Sequence, residues 1–213
     1  MAEDDHGAPA AVVFDALGLD YEKAFAASES HQASLRWLLE RLAPGSSVLD
    51  AGSGTGRPTA ETLSGAGHRV LGVDVSPVMV ELAARQVPGA EFRLADLREL
   101  PVPDASFDAV CAYFSLLQMS RPEQAAVVAR LARAVRPGGL VALATVPLDV
   151  EGVQAHFMGQ PVEVTSFSAG AFTELVTRAG LTVLAEDDAL FTPAHPDAVP
   201  EPHLFLHCRR APE

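Results

Sequence analysis

Three glycines at alternate positions after a short apolar stretch are the part of this sequence with the most chemical content. They lie in the run Val48-Leu-Asp-Ala-Gly-Ser-Gly-Thr-Gly-Arg-Pro-Thr59, as Gly52, Gly54 and Gly56. Because glycine lacks a Cβ, such a turn lets the backbone approach a ligand more closely than other residues would allow. A helix that begins directly after the turn aims its free N–H groups at the same place. The pattern predicts a site for a nucleotide-type cofactor.

The spacing of these glycines argues against one common class of cofactor. A dinucleotide fingerprint is G-x-G-x-x-G, whereas here Arg57 follows Gly56 and the third required glycine is missing. The observed form is G-x-G-x-G, with the acidic Asp50 two residues ahead of it. Pro58 has no N–H and suits a first helical turn, so we expect Gly56 and Arg57 to be the free donors. A nicotinamide-dependent oxidoreductase is therefore disfavoured.

Two further acidic residues follow the next two strand-like segments. Asp74 ends Val70–Asp74, and Asp96 comes directly after Glu91–Ala95. A ribose diol presents two O–H donors, and one carboxylate can accept both. The carboxyl ends of parallel strands meet at one edge of a sheet, so we expect these acids to share a crevice with Asp50. The alternative for each acid is a helix cap or a solvated loop charge, and Asp96 could cap the turn that follows it.

The segments that carry these residues alternate between strand-like and helix-like patterns. Short apolar segments predict five strands, at Val48–Ala51, Val70–Asp74, Glu91–Ala95, Ala109–Phe114 and Leu140–Val146. Helix-like segments lie between them at Thr59–Ser64, Pro77–Gln86 and Glu123–Val135. Such alternation indicates βαβ units and a parallel sheet covered by helices on both faces.

The last third of the chain has a different pattern. A helix capped by Ser168 runs to Ala179, and the strand-like segment Leu181–Glu186 follows it. The polar, proline-rich stretch Thr192–Pro202 then leads to a final strand, His203–Cys208. Two strands joined without a helix predict an antiparallel edge on an otherwise parallel sheet.

The beginning of the chain carries two helical patterns, at Ala10–Leu17 and Ser30–Leu42. Apolar residues of the second recur at helical spacing, so we expect this helix to pack on the rest of the protein. The length suits one globular domain. Within it we distinguish an N-terminal helical segment, residues 1–45, from a cofactor-binding unit, residues 46–213.

Composition argues against several classes of partner. The 213 residues include 15 basic and 28 acidic side chains, a formal net charge of −13 that repels phosphate backbones and disfavours nucleic acid. No apolar run reaches the length of a bilayer span, and the acidic start lacks a signal-peptide pattern, so we expect no membrane association and a cytoplasmic location. The two cysteines suggest neither a disulfide framework nor a metal site. Both a monomer and a homodimer stay open.

Taken together, the motifs resemble those of the class I S-adenosylmethionine-dependent methyltransferases, whose first motif is an acid followed by G-x-G-x-G. The resemblance continues at Gly72-Val-Asp-Val-Ser-Pro-Val-Met79, Leu94-Ala-Asp-Leu97, Ser106-Phe-Asp-Ala-Val110 and Pro137-Gly-Gly139, in family order. It covers the chain from about Ser30 to Arg209. It implies an α/β fold with a Rossmann-like, doubly wound, seven-stranded sheet, mostly parallel with an antiparallel final strand.

The resemblance also implies S-adenosylmethionine as cofactor, with S-adenosylhomocysteine as product. Asp74 then corresponds to the acid that holds the ribose hydroxyls, and Asp96 to the acid beside the adenine amino group. Asp50 is expected near the methionyl amine. The full set of expected cofactor-binding residues is Asp50, Ala51, Gly52, Gly54, Gly56, Arg57, Asp74, Val75, Met79, Asp96, Leu97 and Tyr113.

The catalytic residues stay unassigned at this stage. Many members of the family carry a histidine just after the fourth strand, whereas this chain has Gln118 there, and an amide cannot act as a general base. The other candidates are Tyr21, in a segment that resembles the family's N-terminal lid, His31 on the adjoining helix, Tyr113 and His156. For each histidine the alternative is a surface or packing role.

Two features of the last third bear on the acceptor. His203 and His207 lie on one side of the final strand with Phe205, too far apart to share a metal ion, so we predict no metal site. The segment Leu148–Phe167, with aromatic residues such as Phe157, is expected to shape the acceptor pocket.

The function that the sequence favours is methyl transfer to a small organic acceptor of the secondary-metabolite or quinone kind. Methyl transfer from a sulfonium needs little activation, so holding the reacting atoms in line can supply much of the rate. A second hypothesis keeps the cofactor as an electrostatic or structural element of a different reaction. An oxidoreductase and a non-catalytic binding module are the remaining alternatives.

Overall fold

A seven-stranded sheet forms the centre of the protein in a computed structural model that describes residues 9–212. Residues 1–8 of the N-terminal helical segment, and residue 213, lie outside the described residues. In chain order the sheet is built from β1 (Ser47–Ala51), β2 (Arg69–Asp74), β3 (Glu91–Leu94), β4 (Phe107–Tyr113), β5 (Val135–Thr145), β8 (Leu181–Phe191) and β9 (Glu201–Arg210). Their spatial order is β3-β2-β1-β4-β5-β9-β8. The predicted α/β, doubly wound, Rossmann-like fold is confirmed.

One strand runs against the others. β9 pairs antiparallel with both β5 and β8, while the remaining pairs of the sheet are parallel. The antiparallel final strand is therefore confirmed, as is the antiparallel edge that it forms with β8, and β8 is the outer strand of the two. The reason lies in burial: Leu204 through Cys208 are buried without interruption, whereas β8 exposes a charged run, Glu186-Asp187-Asp188. An acidic strand suits an edge, and an apolar one needs two neighbours.

Seven helices are present in the described part of the chain. They are α1 (Pro9–Leu17), α2 (Leu19–Phe25), α3 (Glu29–Leu39), α4 (Thr59–Gly65), α5 (Pro77–Gln86), α6 (Arg121–Ala134) and α7 (Ala169–Arg178). Local capping explains where the longer ones begin. The Ser76 and Ser168 hydroxyls accept the N–H groups of Met79 and Ala171 at the starts of α5 and α7. None of the described helices is both long and apolar enough to cross a membrane.

The segment after β5 contains an element that the sequence did not reveal. β6 (Val153–Phe157) and β7 (Gln160–Val164) form an antiparallel hairpin apart from the main sheet. Val162 of this hairpin packs with Val13 and Leu17 of α1 in a small apolar cluster. The hairpin and the N-terminal helices therefore support each other above the carboxyl edge of the sheet.

Two apolar layers cover the faces of the sheet. On one face β-strand residues pack with α6 and α7, through side chains such as Leu131 and Phe172. On the other face they pack with α3 and α4, through Leu35, Leu38 and Leu63. Since the strand order reverses between β1 and β4, the fold leaves a crevice at their carboxyl ends, where open α/β sheets bind ligands.

Candidate cofactor and acceptor site

Two adjoining cavities open at the carboxyl ends of β1, β2 and β4. Their empty volumes, including the open mouths, are about 760 and 930 Å³. Five residues line both of them: Tyr21, Gly52, Gly54, Tyr113 and Phe114. Asp74 and Asp96 line the first cavity only, and Asp50 and His31 line the second only. The crevice expected from the sequence is therefore one cleft with two compartments.

The glycine turn forms the boundary between the compartments. All three glycines have positive φ angles, of +79° at Gly52, +52° at Gly54 and +80° at Gly56. A Cβ on Gly52 would lie 2.2 Å from the Cβ of Ser115, whereas a Cβ on Gly54 would meet no atom within 4 Å. Gly52 is thus required by protein packing, and Gly54 leaves free the space that a ligand would use.

Asp74 ends β2 against this turn. Its Oδ2 accepts the N–H of Gly54 at 2.8 Å, and its Oδ1 accepts the N–H of Ser76 at 2.9 Å. Burial raises the pKa of the carboxyl, while the backbone N–H groups partly offset that rise. Each oxygen keeps a further lone pair, so the carboxylate can still accept hydroxyl donors from the first cavity.

Asp50 is a buried acid with an unused oxygen. Its side chain is 2% exposed, and its Oδ2 has no hydrogen-bond partner among the described residues. Burial, together with the charge of nearby Asp74, raises the pKa of Asp50 to about 7. An unpaired buried carboxylate oxygen is costly unless a donor or cation meets it, so this atom fits the charged amine of a ligand.

Asp96 both caps a turn and faces the first cavity. Its oxygens accept the N–H of Arg98 at 2.8 Å and the Arg98 guanidinium at 2.6 to 3.0 Å. This guanidinium is the main reason that the pKa of Asp96 lies below its usual value. Arg98 also contacts Glu123, which caps α6 through Ser120. Asp96 therefore caps the turn that follows it and also lines the first cavity.

The remaining residues expected at the cofactor divide into two groups. Val75, Met79 and Leu97 line the first cavity, as do the shared Gly52, Gly54 and Tyr113. Ala51 is fully buried in β1, and neither it nor Gly56 lines either cavity.

The expectation that the N–H of Gly56 is free is wrong. It donates to the carbonyl of Ser53 at 2.9 Å, closing the turn on itself. Arg57 lines the second cavity, and its guanidinium group contacts Glu61 and Gln86.

Tyr21 and Tyr113, the two tyrosine candidates, form part of the walls of both cavities. The Tyr113 hydroxyl contacts the Ser34 hydroxyl at 2.8 Å, and that hydroxyl also contacts His207 Nε2 at 2.8 Å. Burial raises the pKa of Tyr113 well above its usual value. The pKa of Tyr21 is raised as well, by burial, and its ring packs against Phe14 and Phe25. Both rings shape the cleft with hydroxyl groups that hold their protons.

The other candidates occupy three different environments. His31 lines the second cavity, contacts the Thr59 hydroxyl at 3.0 Å and packs against the Tyr113 ring, tilted by 48° with 4.2 Å between ring centroids. Burial lowers the pKa of His31 to about 3, so it is a poor proton acceptor at neutral pH. Gln118 lines the first cavity, whereas His156 is exposed on β6 and lines neither.

Two features in the cleft or beside it were not predicted from the sequence. The first is Asp15 of α1, whose carboxylate accepts the Ser76 hydroxyl at 2.5 Å and the N–H of Val78 at 3.3 Å. It fixes α1 to the start of α5, and Phe14 beside it lines the first cavity. From the sequence alone, an acid on an amphipathic helix is interpreted as a solvated charge. The contact of Asp15 with the start of α5 was therefore visible only in the folded structure.

The second is a histidine–carboxylate pair at the start of β9. His203 Nε2 lies 2.8 Å from Glu201 Oε1, and His203 is 1% exposed. The sequence did contain a signal, because residues two apart on a strand point to the same face. Across residues 9–212 no group of three or more His, Cys, Asp or Glu side chains is arranged to hold a metal ion.

Comparison with known proteins agrees with this geometry. Residues 48–139, which run from β1 to the start of β5, match a family model described as a methyltransferase domain. The chain is 37% identical over 127 residues to methyltransferase GfsG of Streptomyces halstedii, covering 56% of this chain and 45% of that protein. The chain spans about half the length of the curated relatives it matches.

Solved structures share the fold over nearly the whole chain. The 1,6-didemethyltoxoflavin-N1-methyltransferase of Burkholderia thailandensis, solved with 1,6-didemethyltoxoflavin and S-adenosylhomocysteine, gives a TM-score of 0.73 at 24% identity, covering 99% of this chain and 91% of that one. The [4+2]-cyclase SpnF gives 0.74 at 20% identity, covering 97% of both chains. The residues matched by the methyltransferase model include the glycine turn, Asp74 and Asp96, so this part of the chain is similar to the class I S-adenosylmethionine-dependent methyltransferases.

Proposed function

We propose that this chain binds S-adenosylmethionine in the cleft and transfers its methyl group to a small organic acceptor of the secondary-metabolite or quinone kind. The observation that carries the proposal is the free space at Gly54, bounded by Asp74 and by the unpaired oxygen of Asp50. These groups suit the ribose and the charged amine of this cofactor. When bound, the cofactor supplies an electrophilic methyl group on a sulfonium.

Each compartment would hold one part of the cofactor. In the first cavity, Asp74 would accept the ribose hydroxyls, and Asp96 would accept the adenine amino group. Met79 and Leu97 would cover the adenine ring with apolar surface. In the second cavity, the Asp50 carboxylate would pair with the methionyl amine.

The acceptor would lie beside the aromatic wall of the second cavity. Tyr21, Phe25 and Phe114 line it, and Phe157 of the β6–β7 hairpin packs against the first two of them. This wall suits a flat, apolar molecule, and the net charge of −13 disfavours nucleic acid. The relative solved with a small heterocyclic substrate supports an acceptor of this size. Transfer would then depend mainly on holding the acceptor in line with the methyl group.

Calorimetry with S-adenosylhomocysteine tests the cofactor assignment, with NAD as the comparison ligand. We expect the first to bind and the second to show no heat of binding. Binding of NAD in the absence of binding to S-adenosylhomocysteine would overturn the proposal. Mass spectrometry of reactions with a panel of phenols, quinols and heterocyclic amines would then identify methylated products.

A second candidate function keeps the cofactor and omits methyl transfer. It is supported by Gln118, which cannot act as a general base, and by the similarity of the fold to that of a [4+2]-cyclase. Tight cofactor binding, together with unconsumed S-adenosylmethionine across the whole acceptor panel, would favour this alternative.

A further inference from the structure

The pair of Glu201 and His203 on β9 lies at the same edge of the sheet as Asp50, Asp74 and Asp96. Because β9 runs antiparallel to β5, its first residues lie beside the carboxyl end of β5, where Leu204 pairs with Thr145. His203 precedes Leu204 and stands 4.4 Å from Phe114, measured between ring centroids. Phe114 lines both cavities. The pair is therefore one ring away from the cleft.

Aromatic side chains surround the imidazole of His203. Phe25 and Phe191 lie nearly parallel to it, at interplanar angles of 15° and 30° and centroid distances of 6.4 and 5.4 Å. Phe25 lies on α2 and also lines the second cavity. Phe25 and Phe114 separate His203 from the second cavity, so an acceptor ring would reach the imidazole by displacing the Phe25 ring from the wall and stacking in its place.

The hydrogen-bonding state of this imidazole is unusual for a buried residue. His203 Nε2 lies 2.8 Å from Glu201 Oε1, and this contact is a hydrogen bond to a carboxylate in the tautomer whose Nε2–H donates to Oε1. Nδ1 is then an unprotonated acceptor, and it is buried without a partner among the described residues. Leaving such a group unsatisfied is costly, and a ligand that donates a hydrogen bond would remove that cost.

No other histidine of the cleft offers the same arrangement. His31 uses Nε2 in its contact with Thr59 and has no carboxylate partner among the described residues. His207 also has a buried Nδ1 without a partner among the described residues, but its Nε2 contacts the Ser34 hydroxyl in place of a carboxylate, and its ring stacks on Trp37. A carboxylate that orients a histidine and stabilises its protonated form is the arrangement that general-base catalysis uses.

We propose that His203 is the base of the acceptor site, that it takes a proton from the hydroxyl group of a neutral aromatic acceptor of the phenol class, and that Glu201 is its positioning residue. This inference rests on the proposed function. As the acceptor oxygen forms its bond to the methyl carbon, the hydroxyl proton passes to Nδ1. The carbon–sulfur bond breaks with its electron pair left on sulfur, which gives a neutral thioether. Glu201 then pairs with the imidazolium.

Two small probes of the same shape test the hydrogen bond apart from turnover. The binding of 4-methylphenol and of p-xylene to the S-adenosylhomocysteine complex is measured by ligand-observed NMR. We expect the wild type to prefer the phenol by about tenfold, because only its hydroxyl can satisfy Nδ1. H203F should bind p-xylene as before and lose the preference, since phenylalanine keeps the stacking and removes the acceptor atom.

A matched control separates this effect from a general one. H195F changes a histidine of the loop before β9 that lines neither cavity, and it should keep the tenfold preference. E201Q leaves the ring in place without a carboxylate, so the preference should fall severalfold, and E201D should restore part of it. If H203F does not fold, judged by circular dichroism, the two Glu201 variants carry the test.

Several outcomes would overturn the assignment. They are equal binding of the two probes to the wild type, a preference that persists in H203F or in E201Q, and failure of both probes to bind while S-adenosylhomocysteine binds. Failure of S-adenosylhomocysteine itself to bind would instead refute the proposed function, so the two failures are distinguishable.

Discussion

At the scale of single residues, the role proposed for the Asp74 carboxylate at the ribose gives the most direct test of the cofactor site. It accepts two backbone N–H groups that hold it at the cleft. Asp74→Ala should weaken S-adenosylhomocysteine binding by about 1.5 kcal/mol or more, roughly tenfold, because a charged hydrogen bond is lost. Titration calorimetry measures this, with Asp104→Ala, an exposed acid outside the cleft, as the control. Equal affinity of the Asp74 variant and the wild type would refute the ribose role.

Two glycines of the turn should respond in opposite ways to the same change. Gly54→Ala places a methyl group in free space, so we expect cofactor binding to fall sharply, with only about 1 kcal/mol of stability lost to the positive φ. Gly52→Ala drives a Cβ into Ser115, so we expect a larger loss of stability. Urea unfolding and calorimetry on both variants give the comparison. Strong binding by a stable Gly54→Ala protein would contradict it.

Asp50 should make both stability and binding depend on pH. Its pKa of about 7 in the ligand-free protein exceeds the ordinary value, so the folded state binds the proton more tightly than the unfolded chain. The stabilising contribution is therefore complete below about pH 4 and is lost as pH rises towards 7. A cofactor amine favours the ionised form, so affinity should rise over the same interval.

The matched variant for this prediction is Asp50→Asn, which cannot ionise. Thermal unfolding of the ligand-free proteins at pH 5 and pH 8, together with calorimetry at both values, gives the comparison. We expect the variant to bind weakly at both values, without the pH dependence of the wild type. The same pH dependence in both proteins would show that a different group is responsible.

At the scale of elements, the docking of α1 explains how the cleft is covered. Asp15 accepts hydrogen bonds at the start of α5, and Val13 and Leu17 pack on the β6–β7 hairpin. We propose that α1 and α2 form a lid. Asp15→Asn should leave the sheet intact and increase hydrogen exchange in residues 9–25, because a charged contact to Ser76 and Val78 is weakened. Mass spectrometry measures the exchange.

The control for the lid is Asp20→Asn, which removes an exposed ion pair with Lys23 on α2. Such a pair contributes little, so exchange in this variant should match that of the wild type. Bound S-adenosylhomocysteine should protect residues 9–25 in all three proteins. Equal exchange in the Asp15 and Asp20 variants would show that the α1–α5 contact does not hold the lid.

Elements with a strong local pattern were predictable, and those fixed by distant contacts were not. The N-cap residue Ser76 and the glycine turn predicted where α5 and α4 begin, because helix caps and positive φ angles are features of the local sequence. The β6–β7 hairpin is half exposed and depends on α1 for its packing, so its short strands carried no clear period. The position of the Glu201–His203 pair beside the cleft was also not predictable, because it depends on contacts with Phe25 and Phe114 from other elements.

At the scale of the whole molecule, the cleft joins parts of the chain that are far apart in sequence. Residues from α1, the turn after β1, the end of β2 and the loop after β4 line the same cavity. A ligand that binds them together would stabilise the folded state as one unit, since the unfolded chain has no such site. The cofactor proposal can therefore be tested on the stability of the entire protein, independently of any acceptor.

S-adenosylhomocysteine at one hundred times its dissociation constant should add about 2.7 kcal/mol to the free energy of unfolding. For a chain of this length that corresponds to a rise in Tm of about 5–10 °C. NAD at the same concentration should give no rise, because the turn lacks the spacing for a dinucleotide. Differential scanning calorimetry measures both, and Asp74→Ala should require about tenfold more ligand for the same rise. A rise in Tm with NAD would contradict the cofactor class inferred from the glycine turn. Equal rises in Tm for Asp74→Ala and the wild type would contradict the ribose role of Asp74 on which the proposed function depends.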